Sequence, residues 1–204
     1  MKPPSLAVAI LGLLVEVCFA QQQVRFEGPT ASFPQVFHLG APVSDFTLRD
    51  MSGRSVNYSA LKGSVTVVIF FSTRCPMSNA FNYRRNTLVK DFTGRVKFIV
   101  VDSNSNESLD EEREYAGSVE FDFPVYKDEN NIVADRFGAQ VTTDTFVMDS
   151  AGVVRYHGYI EESPNPTRAK NPALRLAIEA VLESKPVAMA ETHALGCSIR
   201  REKP

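Results

Sequence analysis

The chain has 204 residues, of which 22 are Lys or Arg, 24 Asp or Glu, three Cys and none Trp. A formal net charge of −2, with no Lys/Arg run or basic stripe, excludes the electrostatic footprint of a nucleic-acid binder. Three cysteines are too few for a disulfide-stapled scaffold, and the length suits one well-cored domain.

In chain order, Lys2 precedes an apolar run from Leu6 to Val15, and Cys18-Phe-Ala20 gives a small-x-small pattern before Gln21. This reads as a secretory signal peptide over residues 1–20. The run is shorter than the ~20 residues a membrane span requires. Val17 occupies the site before Cys18 where a lipoprotein signal has a small residue. No membrane span is expected after the signal is removed. Cleavage after Ala20 leaves Cys75 and Cys197 as the cysteines of the mature chain, enough for one redox couple in an oxidising compartment. Residues 21–40 form a polar, Gly- and Pro-punctuated lead-in, residues 41–185 one domain, and residues 186–204 a tail that carries Cys197.

Within the domain, Phe46–Arg49 and Ser55–Tyr58 alternate as short strands around a Met51–Arg54 turn. Val65–Phe71 is almost wholly apolar, the signature of a central strand covered on both faces. Residues 76–92 then carry Met77, Ala80, Phe81, Leu88 and Phe92 among polar residues, which predicts an amphipathic helix. Val96–Val101 is the next buried strand. Glu107–Val119 reads as a helix capped by Ser108 ahead of Glu111, with Asp110, Glu111, Glu112 and Glu114 forming a solvated face. Asn131–Gly138 is a compact helix closed by Gly138. Thr145–Met148 and Val153–His157 form a hairpin through Asp149-Ser-Ala-Gly152, and Ala173–Ser184 is a final helix. This order implies a central mixed sheet with helices on both faces.

Chemistry concentrates where the central strand ends. Cys75 stands at the predicted start of a helix, where unpaired N–H groups and the helix dipole stabilise a thiolate. Arg74 adds positive potential, and Pro76 fits the first helical turn. The alternative is a small buried hydrophobe, as many free cysteines are. Asp102 ends a strand at the edge where open α/β sheets hold their sites, and it also suits a turn with Ser103 and Asn104.

The stretch Phe70-Phe-Ser-Thr-Arg-Cys-Pro-Met-Ser78, with Ala134-Asp-Arg-Phe-Gly-Ala-Gln-Val141, Phe146–Val154 and Gly196-Cys-Ser-Ile199, resembles the thioredoxin superfamily, and more narrowly its redoxin or peroxiredoxin-like (AhpC/TSA-like) branch. The resemblance implies a three-layer α/β/α sandwich around a mixed sheet. It also implies an exported thiol–disulfide oxidoreductase with Cys75 as nucleophile, aided by Arg74 and by a hydrogen bond from Ser78. In thioredoxins a second cysteine would occupy the Ser78 position, and an alcohol cannot resolve a disulfide. Neither Cys75 nor Ser78 completes the Pro-x-x-x-Thr-x-x-Cys frame of peroxiredoxins. Thr143 stands near where a peroxiredoxin arginine is expected. Val141-Thr-Thr-Asp-Thr145 also lacks the proline that thioredoxin-like proteins hold in cis, so a trans loop is expected.

Cys197 is then the remaining candidate to resolve Cys75. A free tail thiol and an intermolecular bridge are the alternatives. The expected partners are a thiol or disulfide protein or a small peroxide. A thiol peroxidase is the second activity implied, and a redox-inactive binding protein the reading from another class. No organic cofactor is expected, since sulfur carries the electrons. No metal is expected either, since His193-x-x-x-Cys197, His38 and His157 form no second close ligand pair.

Overall fold

Val67, Val68, Ile69, Phe70 and Phe71 are completely buried and form the spine of the molecule. The computed structural model describes residues 36–202. The expected signal peptide and most of the lead-in lie outside that range. Chain order runs β1 (Thr47–Arg49), β2 (Ser55–Asn57), α1 (Tyr58–Leu61), β3 (Thr66–Phe71), α2 (Pro76–Asn79) and α3 (Asn82–Asp91). It continues through β4 (Lys97–Asp102), α4 (Leu109–Ser118), β5 (Val125–Lys127), α5 (Ile132–Phe137), β6 (Thr145–Met148), β7 (Val154–Gly158) and α6 (Ala173–Leu182).

The seven strands make one sheet in the order β2-β1-β5-β4-β3-β6-β7. Strands β3, β4 and β5 are mutually parallel, whereas β6 pairs antiparallel with both β3 and β7. Because side chains alternate along a strand, Val67, Ile69 and Phe71 pack on one face with Phe81, Leu88, Phe92, Leu174 and Ile178. Val68 and Phe70 pack on the other face with Val133, Phe137 and Phe146. Both faces of β3 are therefore covered, as its unbroken apolar run requires, and the molecule is an α/β sandwich around a mixed sheet.

Local signals explain several elements. Ser108 accepts from the Glu111 N–H while Glu111 accepts from the Ser108 N–H, a complete capping box at the start of α4. Gly138 closes α5 in the left-handed region at φ +64°.

Three expectations change. The single helix over residues 76–92 is broken at Ala80–Phe81, where Phe81 adopts φ −96°, ψ 1° and turns its ring into the core. Glu112 is not on a solvated face. It is 1% exposed and accepts a 2.8 Å hydrogen bond from Lys127 Nζ, because α4 turns this position toward β5. The tail, which shows no periodicity, is folded onto the sheet. The Thr192 N–H donates to the His157 carbonyl beside β7, and the Ile199 N–H donates to the Gln140 carbonyl before β6. Ile199, 5% exposed, joins the core.

Candidate active site

The β3 strand ends in a turn, Ser72–Cys75, held from both sides. The Ser72 hydroxyl accepts from the N–H groups of Arg74 (3.2 Å) and Cys75 (3.0 Å) and donates to Glu107 Oε1 (2.5 Å). Glu107 Oε2 accepts from the Thr73 N–H (2.7 Å) and the Thr73 hydroxyl (2.5 Å). The Asn79 side chain donates to the Thr73 carbonyl (2.7 Å). Cys75, 2% exposed, is the N-cap of α2, with Pro76 in the first helical turn.

The sulfur of Cys75 is bonded to Cys197, across 122 residues and a Cα–Cα distance of 5.9 Å. The sequence left the partner of Cys75 open, and the fold of the tail decides it. Thr142 donates its N–H to the Cys197 carbonyl (2.9 Å), and Val141 pairs with Ser198 as an antiparallel bridge. Gly196 permits this approach, since a Cβ there would meet the Thr142 carbonyl oxygen at 2.0 Å. The Val141–Thr145 loop has no cis peptide.

Two N–H groups point at the Cys75 sulfur, from Ser78 at 3.4 Å and from Cys197 at 3.3 Å. The Ser78 contact is thus made by its backbone, while its hydroxyl accepts from the Ser72 N–H and faces Arg85. Arg74 is half exposed and ion-paired with Glu111, so its charge is shared with a carboxylate at the surface. Glu111 is held down to about 2, first by the Ser108 N–H and then by Arg74. Cys197 is exposed, in contrast to its buried partner.

Behind the turn lies a buried ionic cluster that the sequence did not reveal. Lys127 Nζ donates to Glu112 Oε1 and to the carbonyls of Asn104 (2.8 Å) and Glu107 (2.6 Å), and lies 3.5 Å from Asp102 Oδ1. Burial drives Asp102 well above the ordinary carboxylate range, with Glu112 adding to the effect and Lys127 opposing it. Burial likewise raises Glu112 to about 7, against Lys127. Glu107 goes the other way. Burial opposes its charge, but hydrogen bonds from Asp102, Ser72 and Thr73 outweigh burial and lower its pKa. Burial thus disfavours charge on Asp102 and Glu112, whereas the carboxylate that binds the turn is favoured as the anion. Asp102 also makes the turn expected of it, accepting from the Asn104 N–H (2.6 Å).

A mixed sheet of this topology, with a cysteine capping the helix after the central strand, defines a thioredoxin-like protein of the peroxiredoxin-like kind. The AhpC/TSA family model matches residues 39–157, and the chain belongs to that family. It is 24% identical over 117 residues to the thioredoxin-like protein YneN of Bacillus subtilis, covering 57% of this chain and 68% of that one. It is 30% identical over 127 residues to the chloroplastic peroxiredoxin Q of Oryza sativa subsp. japonica, covering 57% of each chain. A crystal structure of a conserved protein from Geobacillus kaustophilus superposes with a TM-score of 0.76 at 26% identity, covering 83% of this chain and 95% of that one.

Proposed function

We propose that the chain is an exported thiol–disulfide oxidoreductase in which Cys75 is the attacking thiol and Cys197 the resolving thiol. In this reading residues 1–20 direct export, residues 41–185 form the working domain, and the tail from residue 186 supplies the second thiol. The observation that carries it is the Cys75–Cys197 bond, with Ser78 and Cys197 N–H groups directed at the Cys75 sulfur. Those donors favour a thiolate at Cys75.

In the reduced chain the Cys75 thiolate attacks one sulfur of an oxidised partner. A Cys75–partner disulfide forms as the partner's own S–S bond breaks and its other sulfur leaves as thiolate. The Cys197 thiolate then attacks the Cys75 sulfur, closing Cys75–Cys197 and releasing the second partner thiolate. The partner gains two electrons and the chain becomes oxidised. The backbone bonds at Thr142 and Gln140 hold Cys197 beside Cys75, so closure is effectively unimolecular. An external thiolate reverses the cycle most directly at the exposed Cys197, with buried Cys75 as leaving group.

Membership in the AhpC/TSA family supports a second reading, peroxide reduction. There the Cys75 thiolate attacks the O–O bond to give a sulfenic acid and water or an alcohol, and Cys197 condenses with the sulfenic acid, releasing water. The deciding experiment is differential alkylation with mass spectrometry, alongside disulfide exchange and peroxide consumption on the mature chain. Exchange that C75S abolishes, with a Cys75–Cys197 linkage forming readily, is the expected result. Faster oxidation of Cys75 by peroxide than by disulfides would select the peroxidase. Two free thiols, with Cys75 reacting no faster than Cys197, would leave only a binding role.

A further inference from the structure

One side chain in the core has a charge and no anion to match it. Arg85 on α3 is 0% exposed. Its partners are all neutral: the Ser78 carbonyl at 2.6 Å, the Ser78 hydroxyl at 3.4 and 3.5 Å, the Asn82 side-chain oxygen, and the face of the Phe71 ring at 4.9 Å. Its Nε is buried with no hydrogen-bond acceptor among the described residues. Unpaired buried charges are rare because they forfeit hydration without an opposing charge in return. Burial pushes the guanidinium down to about 9.

Three of these partner bonds go to Ser78, and Ser78 is the residue whose N–H reaches the Cys75 sulfur. The Ser78 hydroxyl oxygen accepts from Arg85 and from the Ser72 N–H at 3.3 Å. In the disulfide, Cys75 carries no charge. On reduction and loss of its proton to solvent, Cys75 would carry a negative charge against the Ser78 N–H.

We propose that Arg85 is a positioning residue for the Cys75 thiolate, acting through Ser78: the guanidinium holds the Ser78 carbonyl at 2.6 Å, and the Ser78 N–H is thereby aimed at the sulfur at 3.4 Å. The proposal rests on Cys75 being the reactive thiol. The other charged groups at this corner are Glu107, Arg74 and, behind Glu107, Asp102, Glu112 and Lys127. Arg74 is paired with Glu111, and the Glu107 carboxylate is taken up by Ser72 and Thr73. Tyr115 touches the α3 side through its hydroxyl, which accepts from Asn82 at 2.9 Å.

The test is the Cys75 pKa in the full mature chain carrying C197S, read from the ultraviolet absorbance of the thiolate and from the pH dependence of alkylation. Cys75 is expected to ionise below the ordinary ~8.5 of a thiol. R85M is expected to raise that pKa by about one unit, R85K to restore part of the shift, and S78A, which keeps the backbone N–H and carbonyl, to move it less than R85M. Should R85M fail to fold by circular dichroism, R85K against the unsubstituted Arg85 carries the comparison. A Cys75 pKa that neither Arg85 substitution moves overturns the proposal. Loss of disulfide exchange by the wild-type chain would instead overturn the oxidoreductase reading, and it is measured on a different protein by a different readout.

Discussion

Removing the Cys75–Cys197 bond tests whether the tail is held by the bond or by the fold. The bond closes a loop of 122 residues. The chain-entropy relation for a loop of that size gives a stabilisation of about 5 kcal/mol at 25 °C, exerted on the unfolded chain. That figure applies in full only if the folded state is unchanged without the bond. The structure supports this condition. Ile199 is buried, the Arg200 N–H donates to Asn104 Oδ1 (3.0 Å), the Arg200 carbonyl accepts from the Ser105 N–H (3.0 Å), and Arg201 pairs with Asp135 at 2.8 Å. The perturbation is the double variant C75A/C197A, compared with the oxidised chain by urea denaturation. The expected loss is about 5 kcal/mol, a large share of the 5–15 kcal/mol typical of a domain, with a urea slope that does not fall, since the unfolded chain without the cross-link is more expanded. By the same thermodynamic cycle, the folded disulfide should be about 100 mV more reducing than the same pair in the unfolded chain. A loss under about 1 kcal/mol would refute the entropic argument. A lower urea slope, with the tail newly open to proteolysis, would show instead that the tail folds only when bonded.

Two further outcomes follow from geometry and charge. Gly196→Ala places a methyl group where the Thr142 carbonyl oxygen stands, 2.0 Å from the ideal Cβ. The tail must shift, and reclosure of the disulfide after reduction should slow about tenfold or more in a stopped-flow thiol assay; an unchanged rate would mean that the Thr142–Cys197 pairing does not position the tail thiol. The acidic cluster sets a pH dependence of definite sign. Glu112 rises from 4.5 to about 7 and Asp102 rises as well, so between pH 4.5 and 7 the folded chain holds protons that the unfolded chain has released. Stability must therefore fall as pH rises through this window, and Glu112→Gln should flatten the fall in a series of thermal melts.

The parts of the molecule legible in the sequence are those whose periodicity matches their burial. Val65–Phe71 reads as a doubly covered strand because every position is apolar, and the Ser108/Glu111 capping box is a local motif that the fold leaves intact. Arg85 escaped notice because charge suggests solvent, yet the spacing was informative. Phe81, Arg85, Leu88 and Phe92 recur at helical intervals and lie on one stripe. Glu112 misled for the same reason, as its ion pair with Lys127 links positions 15 apart in sequence, which no local pattern connects. The tail is bound by backbone pairing at isolated bridges rather than by an apolar face. It therefore has no period to detect, and its signals were a glycine beside Cys197 and a lone Ile199 in a polar stretch.

The tail and the serine at position 78 are consistent parts of one arrangement. Under the proposed function, Ser78 in the turn leaves Cys197 as the second thiol, and the tail that carries it also occupies the loop before β6. The Thr142 N–H and the Gln140 carbonyl, which would otherwise be free to pair with the extended backbone of a partner, are used by Cys197 and Ile199. Cys75 is buried, and Cys197 is the exposed half of the bond. A protein thiol that reduces the disulfide under the proposed function therefore meets sulfur at Cys197. Its attack there expels Cys75 as a thiolate into the N–H groups of Ser78 and Cys197, with the Arg85 charge behind them.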